Sequence, residues 1–194
     1  MQTPKETHFL MIKRVLKYLK GTSHLGIKIF RSDLTLEAYS DADWGGDQTD
    51  RRSISGHCFF LGTSPVLWKA QKQKTVARSS TEAEYRALAT ASSEVIWLRR
   101  LLQDLNIPTD HPTKILCDNT SAISIANNPI LRARTKHIEI DLHFIRDHIT
   151  AKDLTIQHIS TVDQIADILT KNLPGPRFQL LRDKLQLQDK EVKV

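Results

Sequence analysis

The order of strand and helix patterns is the feature that most limits what this chain can fold into. Between residues 34 and 68, three stretches with strand character are separated only by tight-turn sequences, which predicts an antiparallel meander. From about residue 80 onward, helical patterns alternate with two further strand patterns, at 114–117 and 154–159. Strands separated by helices favour parallel pairing, so the sequence predicts an α/β fold with a mixed five-stranded sheet flanked by helices.

Helical periodicity predicts the elements that cover this sheet. The longest helix is expected at about 80–105, with Ser79 as its N-cap and Glu82 as the reciprocal partner in a capping box. A short strand is expected at 27–30. Further helices are expected at about 5–20, 119–127, 135–149, 163–169 and 176–187.

Composition and charge narrow the function classes. The 194 residues are 40% hydrophobic and 26% charged, which is typical of one folded domain with a short extra segment. Lys and Arg outnumber Asp and Glu by 28 to 22, and the resulting formal charge of +6 favours a polyanionic partner such as nucleic acid.

Two absences in the sequence bear on where the protein works. Cys58 and Cys117 lie in apolar runs without zinc-like spacing, which indicates two buried free thiols. The chain has neither a signal-peptide pattern nor an apolar run of the roughly 20 residues that span a bilayer. We therefore expect a soluble, intracellular protein that is not secreted and has no membrane partner.

Four carboxylates lie at positions that the predicted fold could bring together. Asp41 lies near the end of the first meander strand and Asp118 directly follows the fourth strand, so parallel pairing would bring both to one edge of the sheet. Glu84 and Asp167 could reach this edge from flanking helices. Four carboxylates converging without positive partners would repel one another strongly, and one or two divalent cations would remove that cost. Such oxygen ligands suit Mg²⁺ or Mn²⁺.

A pair of such ions, about 3.5–4 Å apart, could promote in-line displacement at a phosphodiester without a nucleophilic Ser or Cys. Each carboxylate also has a purely structural explanation. Asp118 could cap the helix that follows it, and Asp163 could cap the helix that holds Asp167. Asp43 could be a turn residue, and Glu82 is better explained as a capping-box partner than as a ligand. The residues alone leave both explanations open.

The motifs around these carboxylates are YSDADW at 39–44, WK at 68–69, ARSSTEAEYRAL at 77–88, CDN at 117–119, KHIEID at 136–141 and ADILTK at 166–171. They resemble the ribonuclease H region of copia-type retrotransposon Pol polyproteins. The resemblance extends over about residues 34–187. It implies a ribonuclease H-like fold with strands one to three antiparallel, and a set of catalytic and metal-binding residues made of Asp41, Glu84, Asp118 and Asp167. It also implies two Mg²⁺ ions as cofactors, with Mn²⁺ as an alternative.

The same resemblance implies an activity and partners. The family hydrolyses the RNA strand of RNA–DNA hybrids during reverse transcription, so a hybrid duplex and the reverse transcriptase domain of the same polyprotein are the expected partners. The expected location is the cytoplasm or a virus-like particle, with the nucleus as an alternative.

Residues 13–22 resemble the C-terminal edge of a reverse transcriptase, which divides the chain into a remnant at 1–31 and a ribonuclease H-like domain at 32–190.

Two rival functions remain at this point. One is a catalytically silent remnant of a polyprotein that folds and binds nucleic acid. The other is an integrase-like strand transferase of related fold, but those enzymes use their carboxylates in the order Asp, Asp, Glu. In this chain Glu84 precedes Asp118, which argues against the second rival.

Candidate substrate contacts are spread around the carboxylates. Basic residues between the third strand and the long helix could hold phosphates, or could form a solvated rim, and two polar side chains could bond sugar hydroxyls. His158 lies roughly where many ribonucleases H carry a histidine that assists product release, although a surface or packing role is the alternative. Trp44 and Trp68 could stack on nucleotides, but buried packing is the commoner role. The basic and polar candidates are Lys69, Lys72, Lys74, Arg78, Ser80 and Asn119.

Overall fold

The computed structural model describes residues 3–128 and 136–189, with only the backbone described at 136–138. Seven strands and six helices are present in this part of the chain. The strands are β1 Leu25–Ile27, β2 Leu36–Asp43, β3 Ile54–Leu61, β4 Ser64–Lys72, β5 Thr113–Cys117, β6 Leu154–His158 and β7 Leu187–Asp189. The helices are α1 Glu6–Thr22, α2 Ser80–Asp104, α3 Thr120–Asn127, α4 Lys136–Thr150, α5 Asp167–Thr170 and α6 Gly175–Lys184.

The main sheet has five strands in the order β4-β3-β2-β5-β6. Strands β2, β3 and β4 pair antiparallel, whereas β5 pairs parallel with both β2 and β6. The predicted mixed sheet with an antiparallel meander is therefore confirmed. Tyr39 of β2 is level with Leu116 of β5, and extending this parallel register by two residues brings Asp41 level with Asp118.

Helices cover both faces of this sheet. Phe59 of β3 belongs to the main core with residues of α2, α3 and α4, while its neighbours Cys58 and Phe60 pack with Ile165 and Leu169. Because successive strand residues point to opposite faces, α5 lies on the face opposite α2. The site at the strand ends is therefore bordered by one long helix and one very short helix on opposite sides.

The N-terminus of α2 differs slightly from its prediction. The Ser79 hydroxyl accepts the amide hydrogen of Glu82 at 3.1 Å, as an N-cap should. The Glu82 carboxylate, however, accepts the amide hydrogen of Arg78 at 2.9 Å instead of that of Ser79, and its other oxygen pairs with Arg86 at 2.6 Å. Half of the predicted capping box is present, and the reciprocal bond is displaced by one residue.

Two helix boundaries in the C-terminal quarter were predicted wrongly. The helix expected at 163–169 begins only at Asp167, because the Gln164 side chain is buried and holds the chain against the sheet. Gln164 Nε2 donates to the Ser40 carbonyl at 3.0 Å, and its Oε1 accepts the Ala166 amide hydrogen at 3.2 Å. The last helix ends at Lys184, since Gln186 adopts a left-handed φ of 57° and β7 follows.

The N-terminal segment joins the domain through its second half. Helix α1, all of which lies in the described part of the chain, buries none of its residues and exposes several large apolar side chains. In contrast, β1 pairs antiparallel with β7, and the Phe30 amide donates to Ser64 Oγ at 3.0 Å. The strand predicted at 27–30 therefore lies two to three residues earlier, at Leu25–Ile27.

None of the helices at 3–128 and 136–189 combines the length and apolar character that a bilayer crossing requires. Cys58 and Cys117 are both free and buried, as predicted.

Candidate active site

The ends of two parallel strands place two carboxylates side by side. Asp41 lies near the end of β2 and is completely buried, while Asp118 follows the last residue of β5 and is half-buried. Glu84 in the first turns of α2 and Asp167 at the start of α5 are also buried at this edge of the sheet. The structure thus brings all four predicted carboxylates together, while their catalytic role stays a prediction.

The ligand atoms at this edge form two overlapping groups. One oxygen from each of Asp41, Asp118 and Asp167 lies within 4.8 Å of the other two. A second group, with the same spacing limit, contains Glu84, the Cys117 thiol and Asp118. Asp118 belongs to both groups, so the site offers two adjacent positions for a cation with one shared carboxylate.

The structural explanations for two of the acidic residues are wrong. Asn119, not Asp118, is the N-cap of α3, and its Oδ1 accepts the Ala122 amide hydrogen at 2.9 Å. Asp118 instead accepts a hydrogen bond from Thr161 Oγ1 at 2.8 Å. Asp163 is exposed and pairs with Lys184 at 2.8 Å, three residues before the N-cap of α5. Asp118 is therefore held at the site without serving a helix.

A glycine allows α5 to approach the sheet beside Asp41. Gly56 of β3 is paired with Asp41 in the antiparallel register. A Cβ atom at Gly56 would lie 2.6 Å from Thr170 Cγ2 and 3.0 Å from both the Ala166 carbonyl oxygen and Leu169 Cβ. Since real Cβ atoms do not approach other atoms this closely, glycine is needed for α5 to reach Asp41.

The end of α5 also places a positively charged side chain, Lys171, at the site, and the sequence analysis did not predict it. Lys171 Nζ lies 3.1 Å from Asp41 Oδ1 and 2.6 Å from Asp167 Oδ1, and Thr170 Oγ1 donates to the other oxygen of Asp41. The expectation that the carboxylates converge without a positive partner is therefore wrong. The spacing of Asp167 and Lys171, four residues apart at a helix, was a signal that could have revealed this pair.

Burial and mutual repulsion shift the proton affinities of these groups. Burial, together with the negative charges of Asp41 and Asp118, raises the pKa of Glu84 to about 9. Burial likewise raises the pKa of Asp167, although its hydrogen bond with Lys171 acts in the opposite direction. Burial lowers the pKa of Lys171, but its bond to Asp167 and the charge of Asp41 outweigh this and raise it overall. In the absence of a metal, these shifts favour the protonated form of Glu84 and the charged form of Lys171.

A second unpredicted residue, Arg177 of α6, fixes the loop between β6 and α5. Its Nη2 donates to the Thr161 carbonyl at 2.6 Å and lies 3.5 Å from Asp167 Oδ2, and its Nη1 donates to the Val162 carbonyl. Arg177 thereby supports the loop whose Thr161 bonds Asp118. Its distance along the chain from these partners gave no local signal in the sequence.

The predicted phosphate contacts are only partly available. Lys72 pairs with Asp47 at 2.5 Å and Asp50 at 2.8 Å, and Lys69 pairs with Glu94 at 3.1 Å. Lys74, Arg78 and Ser80 are exposed, and Asn119 uses its carbonyl oxygen as a cap. A groove of about 730 Å³ is lined by Lys72, Lys74, Thr75 and Arg86 together with residues of α2 and α4.

The aromatic and histidine candidates lie at the surface. Trp44, directly after β2, and Trp68 on β4 are each about half exposed, so the buried packing considered for them is wrong. Trp44 Nε1 donates to the Ala77 carbonyl at 3.0 Å, which fixes the ring near the start of α2. His158 is exposed at the end of β6, before the loop that bears Thr161, and its role in product release stays a prediction.

Solved structures with a similar architecture include ribonucleases H. LC11-RNase H1, isolated from compost and crystallised with an RNA/DNA hybrid, has a TM-score of 0.53 and 13% identity, covering 70% of this chain and 94% of that one. The protease–reverse transcriptase of prototype foamy virus has a TM-score of 0.50 and 18% identity, covering 82% of this chain and 21% of that one. No family model matches the chain.

The fold and the acidic edge of the sheet define a ribonuclease H-like domain. Over 186 residues, or 95% of its length, the chain is 46% identical to the retrovirus-related Pol polyprotein from transposon RE1 of Arabidopsis thaliana. The chain belongs to the copia-type retrovirus-related Pol polyproteins. It spans about 13% of the length of the RE1 polyprotein.

Proposed function

We propose that this chain is a metal-dependent endonuclease that hydrolyses the RNA strand of RNA–DNA hybrids during retrotransposon reverse transcription. The observation that carries this proposal is the pair of overlapping ligand groups that share Asp118. One group consists of three carboxylates, and the other combines Glu84 and Asp118 with the Cys117 thiol. Two groups that share a carboxylate suit two divalent cations, an arrangement that promotes in-line hydrolysis of a phosphodiester.

The donor set fits Mg²⁺ or Mn²⁺. Its oxygens come from Asp41, Glu84, Asp118 and Asp167, and hard divalent cations prefer such ligands. Burial raises the pKa of the Cys117 thiol, which favours its neutral form beside these oxygens. When bound, the two ions would activate the attacking water and stabilise the leaving oxygen.

Neighbouring side chains fix the orientation of the carboxylates that would bind the metal ions. Thr161 donates to Asp118, and Thr170 donates to Asp41, so each strand-end carboxylate has a hydroxyl that fixes its orientation. Arg177 fixes the loop carrying Thr161. Ligands supported in this way keep the geometry that metal binding needs.

The hybrid would lie across the strand ends, in contact with basic and aromatic groups. Lys74 and Arg78 are exposed between β4 and α2, and Trp44 is exposed directly beyond β2. Phosphates attract the cationic side chains, and an indole can stack on an unpaired nucleotide or pack against a sugar. The overall charge of +6 favours such a partner.

The proposal includes a neighbouring domain and a location. The exposed apolar side chains of α1 would pack against the reverse transcriptase part of the same polyprotein. The polyprotein family of the relatives supports a role inside the cell, and we propose the cytoplasm or a virus-like particle as its location.

A second function is favoured by one observation. The contact of Lys171 with Asp41 and Asp167 places a cation on carboxylates that the nuclease needs for metal. If this contact were permanent, the chain would be a silent remnant that binds hybrids without cutting them.

A cleavage assay on labelled RNA–DNA hybrid in Mg²⁺ or Mn²⁺ separates these functions. We expect the wild-type chain to cut the RNA strand and Asp118→Asn to be inactive, since Asp118 serves both ligand groups. Asp163→Asn is the matched control, because Asp163 belongs to the same region but lies at the surface, where it pairs with Lys184. Equal cleavage by wild type and Asp118→Asn would refute the proposal. Binding of the hybrid without cleavage in either metal would favour the silent remnant.

A further inference from the structure

Lys171 contacts the same carboxylates that form one of the two ligand groups. Its ammonium lies 2.6 Å from Asp167 Oδ1 and 3.1 Å from Asp41 Oδ1, and both residues share a ligand group with Asp118. The oxygens that receive the ammonium therefore belong to the set that would receive a divalent cation. Two cations cannot take the same carboxylate oxygens without strong repulsion.

The carboxylates need a positive charge whether or not metal is present. Asp41 has no exposed side-chain surface and Asp167 only 4%. Removing such groups from water without compensation is costly, and the charge on Lys171 offsets part of that cost. In the metal-free chain, Lys171 therefore stabilises the fold at this point.

The side chain of Lys171 can also move away from the carboxylates. Its amide donates to the Asp167 carbonyl at 2.9 Å, so its backbone is fixed at the end of α5. Its side chain is 36% exposed and has a long flexible stem, so the ammonium can rotate into solvent without unfolding α5. The buried carboxylates, in contrast, stay where the strands and helix place them.

We propose that Lys171 is a displaceable internal cation that neutralises Asp41 and Asp167 in the metal-free protein and competes with the divalent cation for them. The proposal rests on the proposed function, because it takes the carboxylate cluster to be the metal site. Lys171 therefore acts through the carboxylates that it contacts and has two opposite effects. It stabilises the metal-free fold and weakens metal binding.

Calorimetric titration of the full chain with Mn²⁺, without nucleic acid, tests the second effect. Lys171→Met removes the charge and keeps most of the side-chain volume, and we expect it to bind Mn²⁺ at least about tenfold more tightly than wild type. Lys184→Met is the matched control, since Lys184 forms an ion pair with exposed Asp163 and should leave the affinity unchanged. Equal or weaker binding of Mn²⁺ by Lys171→Met would overturn the proposal.

Thermal unfolding in a chelator tests the first effect. We expect Lys171→Met to melt several degrees below wild type in EDTA and to recover this loss in saturating Mn²⁺. If the variant does not fold in EDTA, refolding on addition of Mn²⁺ supports the proposal, and failure to refold overturns it. Neither readout uses cleavage, so a chain that binds Mn²⁺ as described but never cuts a hybrid would refute the proposed function alone.

Discussion

The buried carboxyl of Glu84 would have to change its protonation state if it bound a metal ion. Its neighbours Asp41 and Asp118 and its burial favour the protonated form, yet a metal ligand must be ionised. Binding of a cation therefore has to release this proton. Glu82, only two residues earlier, has a different role, because its carboxylate bonds the Arg78 amide and Arg86.

This contrast predicts opposite results for two conservative changes. We expect Glu84→Gln to lower cleavage of the hybrid by at least about two orders of magnitude, because a ligand of the metal site is lost. Its stability in EDTA should be retained, since the amide resembles the protonated acid. Glu82→Gln should cost about 0.5–2 kcal/mol of stability while cleavage persists. Urea unfolding and the gel assay measure the two effects. Loss of activity in Glu82→Gln but not in Glu84→Gln would show that the assignment is wrong.

The same carboxyl predicts how metal-free stability depends on pH. The pKa of Glu84 rises from its ordinary value of 4.5 to about 9 on folding, so the folded chain retains a proton that the unfolded chain loses. This contribution is complete below the unfolded pKa and disappears as the pH rises through about 9. Burial gives Asp167 a raised pKa as well, which acts in the same direction. We expect the free energy of unfolding in EDTA to fall between about pH 5 and pH 9, and to fall less in Glu84→Gln. An identical pH profile for the two proteins would contradict this.

The sequence could predict the positions of some residues of the candidate site but not of others. Asp41 and Asp118 were foreseeable, because strand-end positions and parallel pairing both follow from the order of elements. Lys171 was foreseeable only in part, since spacing along a helix shows its proximity to Asp167 but not to Asp41 on a distant strand. Arg177 could not be foreseen, because its contacts depend on where α6 lies against the loop after β6.

Among the described helices, α5 is the shortest, yet it contributes the most contacts to the site. Its residues Asp167 and Thr170, followed directly by Lys171, all reach the carboxylate cluster. Its position depends on two contacts with the sheet. Gln164 bonds the β2 backbone, and Gly56 leaves room for the helix. The predicted longer helix was wrong because these contacts with the sheet outweigh the local helical pattern of residues 163–166.

The close approach at Gly56 predicts an effect of one added methyl group. We expect Gly56→Ala to push α5 away from Asp41, to cost about 1–3 kcal/mol and to weaken Mn²⁺ binding. Gly175→Ala is the matched control in α6, because a Cβ atom there meets nothing within 4 Å, so stability and Mn²⁺ affinity should be nearly unchanged. Urea unfolding and titration with Mn²⁺ measure both. Normal Mn²⁺ affinity in Gly56→Ala would mean that α5 does not depend on this contact.

At the scale of the whole molecule, the N-terminal segment divides into two parts. Helix α1 buries none of its residues, whereas β1 pairs with β7 at the other end of the described chain. A boundary after residue 31, as the resemblance suggested, would separate β1 from its partner strand. The sequence could not show that β1 pairs with β7, because each strand has only three residues and almost no local pattern. Strands this short exist only through their pairing.

Two truncations distinguish these parts. Removal of residues 1–22 should leave the melting temperature almost unchanged, because the exposed helix contributes no burial. Removal of residues 1–31 should lower it by several degrees, since β7 loses its partner and Phe30 loses its bond to Ser64. Differential scanning calorimetry of the two shortened chains measures this. Equal melting temperatures would support the boundary after residue 31.

The hydrogen bonds between Asp41 and the end of α5 join residues separated by 129 and 130 positions. No early hairpin or single helix can assemble this cluster, because it requires the central parallel strands and the last quarter of the chain to have met. Distant pairings of this kind form late and slowly. A chain still being synthesised therefore lacks the complete carboxylate cluster until the residues through Lys171 have left the ribosome and packed against the sheet.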